Sequence, residues 1–132
     1  MKKDLFTEII DNTTDRKAPV IYMIEFGEGD DYRFYIGKAS RGTSRPLKQY
    51  PKCVYNYENG IMRKDYRKGG ARRAWRPNVH PQLSEAKNAG LNIRLTMINV
   101  PIEQLDDIEM ALIASSVKFH GISKTLNIEG VK

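Results

Sequence analysis

The sequence predicts an α+β fold: a small antiparallel three-stranded sheet flanked by helices. Three observations carry this. Residues 19–26 and 32–38 are neighbouring apolar runs joined by Gly27-Glu28-Gly29-Asp30-Asp31, a turn composition that reads as a β-hairpin. Residues 91–100 alternate over their first half and stop at Pro101, which reads as a third strand. Residues 102–119 carry the longest apolar repeat at helical spacing. The full order is helix, strand, strand, helix, helix, strand, helix, with helices covering the sheet.

Taken in order, Leu5, Phe6, Ile9 and Ile10 recur at helical spacing, so residues 4–12 read as a short amphipathic helix inside an N-terminal helical extension, 1–17. In the hairpin, Val20, Tyr22, Ile24 and Phe26 share one face of the first strand. Arg33, Tyr35 and Gly37 share a face of the second. Two tyrosines are thus expected to look out of the sheet, beside a glycine that leaves room for a ligand. The competing reading is that these aromatics fill the core.

After the hairpin, Pro46 suits the first turn of a helix, with Ser44 or Arg45 near its N-cap, and Pro51 is expected to interrupt it. Residues 51–79 show no clean period and read as a long basic insert with a little helix around 58–65. Pro81 and Gly90 bracket a helix with Leu83 and Ala86 facing inward. In the last helix Leu105, Ile108, Leu112, Ser115 and Phe119 mark one stripe, and Gly121 ends it. Leu126-Asn127-Ile128 reads as a short strand or turn.

At 132 residues the chain reads as one domain. No stretch approaches the roughly 18–20 apolar residues needed to span a membrane, and the start lacks signal-peptide organisation. A cytoplasmic location and no membrane partner are expected. A single cysteine, Cys53, excludes an internal disulfide and a thiolate-rich zinc site, and His80 and His120 lie far apart. The net charge of +6 is unevenly spread: residues 38–76 hold 12 Lys and Arg against two acids, Glu58 and Asp65, while the remainder is net acidic. This block is interleaved with Tyr50, Tyr55, Tyr57, Tyr66 and Trp75, a composition that suits nucleic acid.

Glu109 borders the apolar stripe of the last helix, and a carboxylate against a core needs a cation, hydrogen bonds or a metal. The alternative is an edge glutamate reaching water. Val20-Ile21-Tyr22, then Tyr35-Ile36-Gly37, a following arginine, a glutamate on a later helix and a closing asparagine together resemble a GIY-YIG nuclease domain over residues 19–128. Lys38-Ala39 after the second string is similar to the incision subunit of bacterial nucleotide excision repair. His80-Pro81-Gln82-Leu83 before a strand is similar to homing endonucleases and their phage relatives.

The resemblance implies that Tyr22, Tyr35, Arg45 and Glu109 are catalytic, with Gly37, Lys38, His80 and Asn127 in support. Arg41, Arg63 and Arg73 stand as alternatives to Arg45. It implies that Glu109 holds Mg²⁺ or Mn²⁺ and that the substrate is double-stranded DNA. Lys38, Arg41, Lys48, Arg63, Arg67, Arg72 and Arg73 would grip its backbone. Cutting both strands would take a homodimer or two successive nicks. Three features depart from the family pattern: Val20 replaces its first glycine, Gln49 stands one turn after Arg45 with Tyr50 a place later, and the insert is long.

A tyrosine acts as general base only with a pKa well below about 10. The metal, Lys38 and Arg45 are expected to lower it, with Tyr22 as base and Tyr35 as orienting donor, or the roles exchanged. His80 either donates to a phosphate or caps its helix. The expected activity is metal-dependent phosphodiester hydrolysis, in a phage, mobile-element or restriction-type setting. A non-catalytic nucleic-acid binder and a protein-interaction module are the other classes.

Overall fold

A computed structural model of the chain describes residues 4–11, 15–64 and 69–127. Tyr66, Arg67, Ile128 and residues 12–14 lie outside the described residues. The elements are β1 (Glu8–Asp11), β2 (Val20–Phe26), β3 (Arg33–Ala39), a π turn at Arg45–Gln49, α1 (Tyr50–Glu58), β4 (Met62–Lys64), β5 (Ala71–Arg73), α2 (His80–Asn88), β6 (Ile93–Asn99) and α3 (Leu105–His120). The fold is α+β with a mixed four-stranded sheet in the order β1-β6-β2-β3. Its β3-β2-β6 portion is antiparallel, and β1 joins β6 in parallel. No described helix is long and apolar enough to cross a membrane.

Strand alternation sorts the core into two layers. Val20, Tyr22, Ile24, Phe26 and Tyr35 face one side and pack with Tyr50 and Val54 of α1 and Leu83 and Ala86 of α2. Ile21, Phe34 and Ile36 face the other and pack with Leu105 and Ile113 of α3. Full burial of side chains such as Ile24, Leu83 and Leu95 contributes about 1.5–3 kcal/mol each, so this alternation decides which face each strand turns inward.

Five expectations are corrected. Residues 8–11 form a strand, not part of a helix. An isolated helix of that length is marginal, whereas the open edge of β6 offers a hydrogen-bond ladder. Thr7 anchors the approach: its N–H and hydroxyl both donate to the Ile93 carbonyl, and its Oγ1 accepts from Ile93 N–H. The expected three-stranded sheet therefore gains a fourth strand.

Pro51 does not interrupt its helix. It stands second in α1, in the first turn, and the preceding π turn widens the helix at the point where its ring would meet a carbonyl. The region expected as loop thus contains α1, then a basic ribbon of β4 paired antiparallel with β5.

The buried face of α3 is turned from the expected stripe. Leu105 and Ile113 are buried and Val117 is partly so, while Leu112 is exposed and Phe119 is 83% exposed. His120 takes the place foreseen for Phe119, with its ring 4.6 Å from Tyr32 and 5.6 Å from Phe34.

The outer edge of β3 is closed by a side chain. Asn127 Oδ1 accepts from Ile36 N–H at 2.8 Å, and Asn127 Nδ2 donates to the Ile36 carbonyl at 2.6 Å. The amide thus replaces one residue of a neighbouring strand. Asn127→Ala leaves both Ile36 groups unpaired and is expected to cost about 2–4 kcal/mol, read as a lower urea midpoint with unchanged slope. A loss below about 0.5 kcal/mol would mean that water replaces the amide without penalty.

Candidate active site

Three tyrosines meet beneath α1. Tyr22 comes from β2, Tyr35 from β3 and Tyr50 from the first residue of α1. The Tyr22 and Tyr50 hydroxyls are 2.9 Å apart and hydrogen-bonded. Their rings meet edge-on at 5.5 Å, and Tyr35 lies 6.4 Å and 6.2 Å from them. Tyr22, Tyr50 and Tyr35 are 2%, 4% and 7% exposed, so the tyrosines do not look out of the sheet. Gly37 stands opposite Tyr22, and the space it leaves is filled by the Tyr22 ring rather than by a ligand.

Burial drives the Tyr22 pKa upward, reinforced by Tyr35; the Tyr50 hydrogen bond, Arg45 and Arg76 offset only part of this. That is opposite to the lowering a general base at Tyr22 requires. The Tyr50 hydroxyl is pushed up for the same first reason, burial.

Arg76 completes the cluster. Its Nη1 donates to the Tyr35 hydroxyl at 3.1 Å. The start of α2 holds its backbone: Arg76 N–H donates to His80 Nδ1 at 2.8 Å, and the Arg76 carbonyl accepts from His80 N–H at 3.1 Å. His80 therefore positions Arg76 rather than capping its helix with its side chain. Burial, and then Arg76, push the His80 pKa down to about 4, so the ring is neutral at pH 7. With Nδ1 accepting, the ring proton sits on Nε2, which has no partner among the described residues.

Arg76 was not singled out from the sequence. The signal available was its place in Trp75-Arg76-Pro77, four residues before a histidine that opens a helix. Tyr50 reaches the cluster because of the π turn. Arg45 and Tyr50 are five residues apart, and the Tyr50 N–H bonds to the Arg45 carbonyl across that widened turn. Arg45 itself is exposed; its Nη1 reaches the Lys38 carbonyl at 3.4 Å.

Glu109 lies on the inward side of α3 with its side chain 17% exposed. Lys38 Nζ is 3.5 Å from Glu109 Oε1 and also binds Asp106. Burial raises the Glu109 pKa, opposed by Lys38 and, more weakly, by Arg76. The hydrogen bond to Asp106 is the main cause that raises the pKa of Lys38. No three His, Cys, Asp or Glu side chains among the described residues gather to hold a metal. A hydrated divalent ion such as Mg²⁺ keeps several waters and takes one or two carboxylates plus phosphate oxygens. The partly open Glu109 carboxylate, beside a lysine that can turn to a phosphate, fits such an ion.

The expected DNA-gripping residues divide. Arg41, Lys48 and Arg72 are exposed, and Arg63 and Arg73 of the ribbon line a cleft beside Tyr50 and Arg76. Asn127 bonds to the main chain of Ile36 at the outer edge of β3, next to Tyr35. No family model, curated protein or solved structure matches the chain.

Proposed function

We propose that the chain is a metal-dependent endonuclease of the GIY-YIG type, hydrolysing phosphodiester bonds in DNA. One observation carries the reading: the two motif tyrosines share a cluster with Tyr50 and Arg76, in which Tyr22 bonds to Tyr50 and Arg76 bonds to Tyr35. Three buried phenols in contact with one exposed guanidinium are unneeded for stability, since apolar residues of similar volume would fill the space of the phenols at less cost. The cluster suits a reaction that moves a proton and builds negative charge.

The geometry supports the following roles. Arg76 and Arg45 neutralise charge developing on the phosphate. Tyr35, in contact with Arg76 and the least buried of the three, exchanges the proton with the attacking water. Tyr22 and Tyr50 hold it in place. Lys38 pairs with Glu109 and would turn to a phosphate once the carboxylate were taken up by a cation. Glu109 would hold the Mg²⁺, which would supply Lewis-acid polarisation of the phosphate and stabilisation of the leaving oxygen.

The test is nicking of supercoiled plasmid with Mg²⁺ or Mn²⁺, comparing the wild type with Glu109→Ala. The wild type is expected to nick or linearise, EDTA to abolish this, and the variant to lose at least about 100-fold. Equal activity in both chains would overturn the assignment. Tight, salt-sensitive DNA binding with no cleavage by either would identify a non-catalytic nucleic-acid binder.

A further inference from the structure

Beside the tyrosine cluster lies a cleft of about 210 Å³, bounded by the π turn, α1, the β4–β5 ribbon and the start of α2. By the share of volume a water takes in the liquid, about 30 Å³, it has room for a phosphoryl group and part of the sugar that carries it. Arg45, Arg63, Arg73 and Arg76 line it, and no acidic side chain does. Among the described residues none of these four arginines pairs with a carboxylate. In the ribbon Arg63 stands directly opposite Arg72, an arrangement of like charges that costs stability unless an anion lies near.

An independent observation points into the same place. His80, in the cleft wall, is 3% exposed, and its Nε2–H has no hydrogen-bond partner among the described residues. A buried donor left unpaired costs about 1–3 kcal/mol, which a ligand oxygen would recover. Trp75 lines the cleft as well.

We propose that this cleft is a phosphoryl-binding site adjoining the tyrosine cluster, in which Arg63 and Arg73 of the ribbon and the His80 Nε2–H hold a second phosphate of the substrate strand. The proposal rests on the nuclease reading for the strand that carries the phosphate. Its chemistry is that of any phosphate, so the ligand is either a strand's terminal phosphomonoester or an internal diester one position from the cut.

Trp75 is the only tryptophan, so its emission reports on the cleft. Inorganic phosphate titrated into the full chain is expected to give a saturable change. Arg63→Ala with Arg73→Ala should weaken it at least tenfold. Lys17→Ala with Lys118→Ala, removing the same charge from exposed positions elsewhere, should leave it unaltered. No saturable response, or equal weakening by both pairs, would overturn the site in favour of a general positive field.

Short oligonucleotides then identify the source. Tighter binding with a 5′-phosphate than without assigns the site to a strand end. Equal binding of both, above that of inorganic phosphate, assigns it to an internal diester. Run beside Glu109→Ala on plasmid, the two readings separate. Phosphate binding without nicking would remove the nuclease alone, and nicking without a phosphate response would remove this site alone.

Discussion

Arg76→Ala is expected to lower phosphodiester cleavage by about 10²–10³-fold while the chain stays folded. The guanidinium is the only cation in hydrogen-bond contact with a motif tyrosine among the described residues. Fixed donors aimed at developing charge stabilise it with no reorganisation at the moment of reaction. The main-chain bonds between residue 76 and His80 do not depend on the side chain, so the α2 start should survive. Single-turnover nicking rates, beside a thermal melt, read the two effects apart. Arg76→Lys should recover only a small part, because an ammonium restores the charge without the planar fork. Arg45→Ala is the comparison: a larger loss there than at Arg76 would return the principal phosphate contact to the residue that follows the hairpin.

Gly37→Ala is expected to lower stability and cleavage together. A Cβ there falls 2.3 Å from Tyr22 Cζ and 2.4 Å from its Oη. The ring cannot swing aside cheaply: it is 2% exposed, tied to Tyr50 and wedged between layers. Overpacking of this kind costs about 1–3 kcal/mol, and losing the Tyr22–Tyr50 bond adds about 1 kcal/mol. The expected signature is a fall of about 2–4 kcal/mol in urea stability, together with loss of cleavage in whatever fraction stays folded. Tyr22→Phe with Gly37→Ala is the informative double variant, since removing the hydroxyl relieves one of the two closest approaches. Full stability in the single variant would show that the ring has space to move.

Much of this arrangement was legible because its determinants are local. Alternation in 19–26 and 32–38 put Tyr22 and Tyr35 on one side, and Pro81 and Gly90 bracketed α2 correctly. Glu109 stood out as a charge bordering an apolar stripe, and it lies deeper than expected because that stripe is turned. What the sequence hid is long-range. The strand character of Glu8–Asp11 exists only against β6, and Ile9-Ile10 alone spaces equally well on a helix. The inward face of α3 was ambiguous because its apolar residues run nearly all round, and His120 is chosen over Phe119 only by rings on β3. The tyrosines face a helix rather than solvent, which a hairpin alone cannot disclose. Arg76 joined the site only once the chain after the ribbon had folded back, and Tyr50 only through a five-residue turn that a four-residue period passes over.

The bond between Ile36 and Asn127 also has a consequence in time. Its partners are 91 residues apart. A chain emerging from the ribosome carries Tyr22, Tyr35 and their arginines long before the amide that closes β3 is made. At about 5–20 residues per second that interval lasts seconds. Throughout it the strand bearing Tyr35 has an open edge, and the cluster built on it is unfinished. A nascent chain thus lacks the completed tyrosine cluster until the segment through residue 127 has been synthesised and released into the fold.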